Sequence, residues 1–180
     1  MKNIEELKKE LQKGKKFKYL FFWGHKQKNK NIIDKSCLSQ WFPVGFEINK
    51  VHYPTAEHYM MVEKARLFDP SMVSKILEAK TTKEVKSLGR KVRNFDAEIW
   101  DEKSFEIVFM GNLAKFSQNE KLKSFLLSTS NRIIVEASPY DKVWGIGMLQ
   151  DHEHASSPLK WNGLNKLGFV LTQVKEELKC

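Results

Sequence analysis

The middle of the chain combines helical spacing with residues that cap helices, and this pattern sets the fold class. Thr55 precedes AEHYMMVEKARLF and is a preferred residue type for a helix N-cap. Apolar residues then recur every three or four positions through DAEIWDEKSFEIVFMGNLAKFSQ. Strand-like segments are short and flank this region, as in KYLFFWG and RIIVEAS. We therefore predict an α+β fold that is predominantly helical, with a few short strands.

The N-terminal segment differs in composition from the rest of the chain. Asn3 followed by Glu6 predicts a capped helix that ends near Gly14. The 180 residues are 41% hydrophobic, which is enough apolar surface to form a buried core. We predict a basic helical extension over residues 1–18 and a single domain over residues 19–180.

Most of the positive charge lies near the N-terminus. Residues 1–35 contain eleven lysines against four acidic residues, which accounts for seven of the nine net positive charges. Such a segment can attract polyanions, including nucleic acid. A solvated lysine-rich face is the commoner reason for such a run, and we favour that interpretation.

The sequence lacks the patterns of several protein classes. No stretch approaches 18 consecutive apolar residues, so we expect no transmembrane helix and no membrane partner. The N-terminus has no apolar core of a secretory signal. The two cysteines, Cys37 and Cys180, give neither a disulfide framework nor a zinc-binding pair, so we expect a cytoplasmic protein. His152 and His154 lie in a polar segment typical of solvent exposure, and we predict no metal and no cofactor.

Glu57 and Lys64 share one face of the helix that follows Thr55. Glu57 lies in the first turn, where backbone N–H groups and the helix dipole stabilise negative charge. Lys64 lies seven residues further on and projects from the same face. The pair can line a pocket for an anionic substrate. Taken alone, the simpler interpretation is that Glu57 stabilises its own helix while Lys64 reaches water.

The segment EASPYDKVWGIG predicts a bent loop that carries a carboxylate and an indole. Proline and glycine bend the backbone around Asp141 and Trp144. The glycine spacing does not match a phosphate-binding or dinucleotide-binding loop. An aspartate in a turn usually caps that turn, and a tryptophan is usually a core residue. Val143 and Ile146 are predicted to pack in the core.

Several sequence blocks in a fixed order resemble the NADAR superfamily, which is also called YbiA-like. The blocks are YPTAEHYMMVEKA, GRKVRNFD, NLAKFSQN, EASPYDKVWGIG and GLNKLG, preceded by FFWGH and SCLSQWFP. The resemblance runs from about Tyr19 to the C-terminus and leaves the lysine-rich N-terminal helix outside.

This resemblance implies hydrolysis of an N-glycosidic bond between a ribose and a nitrogen. It implies small phosphorylated substrates such as phosphoribosyl intermediates of riboflavin synthesis, or ADP-ribose attached to guanine in nucleic acid. By position in the matched blocks, the catalytic carboxylates are Glu57 and Asp141. The residues expected to bind substrate are Trp23, Trp41, Lys64, Arg93, Trp100, Trp144 and Gly145.

The residue types agree with this reaction. Breaking a ribosyl C–N bond puts positive charge on the sugar and negative charge on the departing base, and two carboxylates can divide the resulting tasks. Indoles can stack on the base, and basic side chains can bind phosphate. A non-catalytic binder of ADP-ribose or an NAD-related nucleotide is the second hypothesis. A nucleic-acid-binding protein that uses the basic N-terminal segment is the third.

Overall fold

The computed structural model of the chain describes residues 1–179, which group into two compact units. The split unit comprises Met1–Ser39 and residues 120–179, and the helical unit comprises Gln40–Asn119. Within residues 1–179 the helices and strands, in chain order, are α1 (Ile4–Gln12), β1 (Tyr19–Phe22), β2 (Phe46–Ile48), β3 (Val51–Tyr53), α2 (Ala56–Phe68), α3 (Val73–Glu78), α4 (Thr82–Arg90), α5 (Ala97–Ser117), α6 (Glu120–Ser128), β4 (Ile133–Glu136) and α7 (Lys166–Glu177). The predicted α+β fold, predominantly helical with a few short strands, is confirmed.

In the helical unit, α2 is the central helix and contacts α3, α4 and α5. Its N-cap is Thr55, as predicted, and Thr81 and Asp96 cap α4 and α5 in the same way. Strands β2 and β3 form an antiparallel hairpin. Asn49 and Lys50 form the turn of this hairpin with positive φ angles of 52° and 64°, the left-handed backbone that a tight hairpin turn requires.

In the split unit, β1 and β4 form a parallel pair, and α7 packs on β4. The register places Phe22 opposite Glu136, so the carboxyl ends of both strands lie at the same edge of the pair. Three residues of β4 are buried, whereas only Phe22 of β1 is fully buried. The sequence predicted these strands but gave no pairing between them.

Asn165 connects β4 to the start of α7. Its Oδ1 accepts a hydrogen bond from the backbone N–H of Glu136 at 3.0 Å, and its Nδ2 donates to the carbonyl oxygen of Ile134 at 2.9 Å. The side-chain amide therefore bonds β4 as a neighbouring strand would. Helix α7 begins at Lys166, directly after Asn165, which adopts a left-handed conformation with φ of 53°.

Helix α1 begins after Asn3, whose side chain accepts from the Glu6 backbone N–H, as the capping pattern predicted. Ile4 and Leu7 on α1 are buried, and α1 contacts the short 3-10 helix Pro158–Lys160 of the same unit. The boundary between an extension over residues 1–18 and a domain from residue 19 stays a prediction. Among the helices of residues 1–179, none is long and apolar enough to cross a membrane.

His58 is a buried polar residue on α2 whose two ring nitrogens both have partners. Nδ1 lies 2.8 Å from the Thr55 hydroxyl oxygen, and Nε2 lies 3.2 Å from the carbonyl oxygen of Ala79. A carbonyl can only accept, so Nε2 donates and Nδ1 accepts from the hydroxyl. Burial lowers the pKa of His58 and outweighs the opposite effect of the hydrogen bond to Ala79.

We expect His58 to make the protein less stable as the pH falls below about 6.5, the ordinary pKa of histidine. The fold favours the neutral ring, so this contribution is complete above the pKa of the unfolded chain. It is lost as the pH falls through the lower pKa of the folded state. Denaturant unfolding at about pH 7.5 and about pH 5.5 should show a larger loss of stability in wild type than in His58→Gln.

His52→Gln is the matched control, because His52 is an exposed histidine of the same unit. It should keep the loss of stability seen in wild type. An equal loss in His58→Gln and wild type would contradict this prediction.

Candidate active site

Glu57 lies in the first turn of α2 and is only 5% exposed. Its backbone N–H donates to the carbonyl oxygen of Gln40 at 3.0 Å. One residue further on, the N–H of His58 donates to Thr55 Oγ1 at 3.3 Å. These bonds satisfy donors that have no partner within the helix and fix the position of the first turn. Glu57 therefore places a buried carboxyl group at the helix end that favours negative charge.

Lys64 lies two turns along α2 and is half-buried beside aromatic rings. Its Nζ lies 4.2 Å from the ring centroid of Phe95 and 5.9 Å from that of Trp100. The ammonium donates one hydrogen bond, to the carbonyl oxygen of Gly89 at 2.9 Å. Burial lowers the pKa of Lys64. Within residues 1–179 no second acceptor bonds this ammonium, so two of its three N–H groups can bind an anion.

The structure thus brings two of the predicted residues, Lys64 and Trp100, into contact range and adds Phe95, which the sequence reasoning missed. Phe95 packs edge-on against Phe68 at 5.3 Å between ring centroids. A sequence signal for Phe95 existed. It precedes the N-cap Asp96 of α5, and Trp100 occupies the fourth helical position, the two positions of a hydrophobic staple.

Arg93 has a well-defined structural partner. Its Nε donates to Asp69 Oδ2 at 2.8 Å, and its Nη2 donates to Asp69 Oδ1 at 3.1 Å. This bidentate pair holds the pKa of the Asp69 carboxyl well below its usual range. The pair joins the end of α2 to the segment before α5. A phosphate contact by Arg93 stays a prediction and would have to use the remaining Nη1.

Trp41 is half-buried and lies directly after Gln40. Lys86 Nζ, on α4, lies 5.7 Å from its ring centroid. Half-burial leaves part of the Trp41 indole accessible to a ligand. Its role in substrate binding is therefore still a prediction.

Asp141 caps its own turn through one carboxylate oxygen. Oδ1 accepts from the backbone N–H of Val143 at 2.9 Å and from that of Trp144 at 2.7 Å. Within residues 1–179 the second oxygen, Oδ2, is not hydrogen-bonded. The turn therefore clamps one oxygen and leaves the other available. Capping of the turn therefore requires Oδ1 of Asp141 but not Oδ2.

The Asp141 loop, residues 137–147, is bonded to the start of α7. The backbone N–H groups of residues 165, 166 and 167 donate to the carbonyl oxygens of residues 145, 143 and 144. The first N–H groups of a helix lack partners within the helix, and these loop carbonyls satisfy them. Trp144 is half-buried, and its main chain is one of the three acceptors.

Gly145 is required by packing within the protein. A Cβ at this position would lie 2.9 Å from the Glu136 carbonyl oxygen and 3.0 Å from that of Asp141. Contact between Gly145 and substrate stays a prediction. Ile146 is fully buried, but Val143 is 46% exposed, so its predicted place in the core is wrong. The turn that Asp141 caps directs Val143 outward.

Trp23 follows β1 at the carboxyl edge of the β1–β4 pair and is 52% exposed. Tyr140 precedes Asp141 and is 87% exposed, and the two ring centroids are 6.2 Å apart. Exposed aromatic rings of this kind can stack on a planar heterocycle. Sequence reasoning selected Trp23 and missed Tyr140, although Tyr140 lies inside the loop that it singled out.

The predicted site residues divide between the two units. The helical unit contains Trp41, Glu57, Lys64, Arg93 and Trp100, and the split unit contains Trp23, Asp141, Trp144 and Gly145. No cluster of three histidine, cysteine or acidic side chains that can hold a metal ion occurs in residues 1–179.

The chain belongs to the NADAR family, because the model described as the NADAR domain matches residues 21–179. It is 47% identical over 166 residues to a protein named N-glycosidase from Acanthamoeba polyphaga mimivirus, covering 89% of this chain and 96% of that one. It is 32% identical over 126 residues to an Arabidopsis thaliana protein named chloroplastic riboflavin biosynthesis protein PYRR, covering 68% of this chain and 19% of that protein.

The solved structure of Escherichia coli YbiA has a similar fold. The two structures superpose with a TM-score of 0.68 at 21% identity, over 91% of this chain and 88% of that one. The resemblance to the NADAR or YbiA-like superfamily is therefore confirmed for both family and fold.

We expect Asn165→Gly to lower the free energy of unfolding by about 2–4 kcal/mol, because two backbone groups of β4 lose their partners. Glycine keeps the left-handed backbone available, so the loss reports the hydrogen bonds rather than strain. Denaturant unfolding measures it. Asn162→Gly, an exposed asparagine in the same connection, is the control and should cost less than about 1 kcal/mol. Equal losses in the two variants would contradict the prediction.

Proposed function

We propose that this chain is an N-glycosidase, which hydrolyses the bond between the ribose of a phosphoribosyl or ADP-ribosyl group and a nitrogenous base or amine. Family membership and a relative named N-glycosidase at 47% identity support the reaction type. In the molecule itself, the observation that carries the proposal is the buried Glu57 carboxyl group at the N-terminal turn of α2.

The reaction breaks the bond between C1 of the ribose and the nitrogen, and the electron pair leaves with the base. Positive charge develops on the sugar, and a water molecule adds to C1. One carboxylate accepts a proton from this water or stabilises the charged sugar. A proton donor at the departing nitrogen completes the hydrolysis. We propose Glu57 and Asp141 as the two carboxylates, in analogy to the paired acids of glycoside hydrolases.

Asp141 suits a role that needs a fixed oxygen. Its Oδ1 is held by two backbone N–H groups, so the position of Oδ2 is set before substrate arrives. A preorganised group needs little rearrangement in the transition state, and that lowers the barrier. Asparagine can accept the same two hydrogen bonds at Oδ1, so Asp141→Asn removes the charge while the turn is kept.

We propose that Lys64 binds a phosphate of the substrate and that exposed or half-exposed aromatic rings hold the base. The Lys64 ammonium has one acceptor and lies in partly apolar surroundings, where an anion is a favourable partner. For the base, Trp23 and Tyr140 offer exposed rings 6.2 Å apart, and Trp100 lies on the Lys64 side of α5. Base stacking on an aromatic side chain contributes about 1–3 kcal/mol.

The candidate substrates share a ribosyl–nitrogen bond and a phosphate. They are phosphoribosyl intermediates of riboflavin synthesis and ADP-ribose attached to guanine, either free or in nucleic acid. The riboflavin name of one relative supports the first group. We propose a cytoplasmic setting, which the cysteine content also favours. Stoichiometric binding of ADP-ribose without turnover remains the alternative function.

We expect Glu57→Gln and Asp141→Asn each to lower kcat by roughly 100-fold or more, because each removes a group that stabilises charge or moves a proton. Chromatography of free base released from the candidate substrates measures turnover. If the two carboxylates act together, the kcat of the double variant should be only slightly lower than that of the slower single variant. Glu63→Gln is the control, since Glu63 is a carboxylate of the same helix that is paired with Arg66.

Wild-type turnover in both carboxylate variants would reject the assigned roles. Binding of ADP-ribose by wild type in calorimetry, with no base released from any candidate on long incubation, would favour the non-catalytic alternative.

We expect Lys64→Met to raise KM for a phosphorylated substrate roughly 10- to 100-fold, the effect of losing one charge-assisted hydrogen bond. The same substrate without its phosphate should show little change. Lys75→Met on α3 removes an exposed lysine of the same unit and should leave both KM values as in wild type. An equal rise in KM for both substrates would show that Lys64 does not act on the phosphate.

A further inference from the structure

Gln40 holds the first turn of α2 from outside the helix. Its carbonyl oxygen accepts the backbone N–H of Glu57 at 3.0 Å. Its side-chain Nε2 lies 3.9 Å from the sulfur of Met60, one turn further along α2. Gln40 also directly precedes Trp41. A displacement of Gln40 would therefore move the main chain at two of the candidate site residues.

Asn112, on α5, holds the side chain of Gln40. Its Nδ2 donates to Gln40 Oε1 at 2.7 Å and to the carbonyl oxygen of Val108 at 2.8 Å. Asn112 is fully buried, with 0% of its surface exposed. The Val108 carbonyl accepts only, so the amide of Asn112 has one satisfactory orientation, and in that orientation it must donate to Gln40.

Asparagine at position 112 stabilises the fold less than an apolar residue of similar size would. Its Oδ1 is buried and has no hydrogen-bond donor among residues 1–179. A buried acceptor without a donor destabilises the fold, and leucine would fill a similar volume without that cost. The Val108 carbonyl lies within a helix, where the backbone already supplies a donor. The bond to Gln40 is what the asparagine provides and leucine cannot.

We propose that Asn112 is a positioning residue for the N-glycosidase reaction: through Gln40 it fixes the first turn of α2, and with it Glu57 and Trp41. This inference rests on the proposed function for its effect on catalysis. The hydrogen bonds from Asn112 to Gln40 and from Glu57 to Gln40 make a continuous connection within the helical unit. Asn112 itself need not touch substrate.

The chain offers a closely matched control in Asn119. Its Nδ2 donates to the carbonyl oxygen four residues earlier, that of Lys115, at 2.8 Å, and to that of Gly45 at 3.3 Å. Asn119 therefore repeats the pattern of Asn112 on the same stretch of chain but does not bond Gln40. Asn119→Leu reports the general effect of removing such an amide.

Hydrogen exchange at the backbone amide of Glu57 tests the positioning directly and does not depend on activity. We expect this amide to exchange at least roughly tenfold faster in Asn112→Leu than in wild type, with little change in Asn119→Leu. Gln40→Met keeps the main-chain carbonyl but removes Oε1, so it should have the effect of Asn112→Leu. In the double variant that combines Asn112→Leu with Gln40→Met, this amide should exchange no faster than in either single variant, because both substitutions remove the same hydrogen bond.

Kinetics then test the effect on catalysis. We expect Asn112→Leu to lower kcat roughly tenfold because Glu57 moves, and any rise in KM through Trp41 should be smaller than the fall in kcat. Asn119→Leu should keep the wild-type kcat. If Asn112→Leu does not fold, Gln40→Met removes the same hydrogen bond from the other partner and gives the same test.

Unchanged exchange at the Glu57 amide in both Asn112→Leu and Gln40→Met would overturn the inference, and additive losses of kcat in the double variant would do so too. If Glu57→Gln abolishes turnover while Asn112→Leu keeps it, the positioning role fails and the proposed function stands. If wild type releases no base from any substrate, the proposed function fails, and the exchange rates still decide whether Asn112 positions Glu57.

Discussion

The first turn of α2 is the constraint on which the helical unit depends. This helix is buried along most of its length, so the N–H groups at its start cannot rely on water for partners. Thr55 and Gln40 supply the acceptors, and His58 is bonded in turn to Thr55 and Ala79. Each of these bonds fixes a specific residue outside the helix. The buried position of Glu57 is a consequence, because it lies inside the turn that all of them define.

Side-chain amides complete the short strands in both units. Strands of three or four residues in two-stranded sheets leave backbone groups without a neighbouring strand. Asn165 bonds the N–H of Glu136 and the carbonyl of Ile134 in β4. Gln118 does the same for β2, since it accepts from the N–H of Glu47 at 2.8 Å and donates to its carbonyl at 2.7 Å. An amide can do this because it carries a donor and an acceptor on one rigid plane. These two amides therefore supply hydrogen-bond partners that a further strand would otherwise provide to β4 and β2.

The structural features that the sequence predicts depend on neighbouring residues, whereas those that it does not predict join segments far apart in the chain. The cap at Thr55 and the hairpin turn at Asn49 follow from neighbouring residues, and the structure has both. The parallel pairing of β1 with β4 and the bond from Asn112 to Gln40 join segments that lie far apart in sequence, so no local pattern predicts them. The amides of both units look like ordinary polar residues until their partners are known.

In the candidate site, too, local sequence patterns did not predict contacts between distant residues. Glu57 and Asp141 were selected as candidate acids because motif blocks marked them, whereas Phe95 and Tyr140 are aromatic residues that periodicity treats as packing. The predicted place of Val143 in the core failed because alternation along a strand does not continue through a turn that Asp141 caps. The surroundings of Lys64 depend on a carbonyl in α4 and a ring before α5. Such surroundings are a property of the folded helical unit rather than of the helix pattern.

The two interpretations of Asp141 are compatible because a carboxylate has two oxygens. A turn needs one acceptor for the N–H groups of residues 143 and 144, and Oδ1 supplies it. A hydroxyl or an amide could do the same, as serine, threonine and asparagine do in many turns. Only a carboxylate leaves a second oxygen that carries charge and is held in place by the first. The turn therefore explains why the residue is polar, and the free oxygen offers a reason for it to be an acid. The same distinction applies to Asn112, where a hydrogen bond to Gln40, rather than burial, explains the residue type.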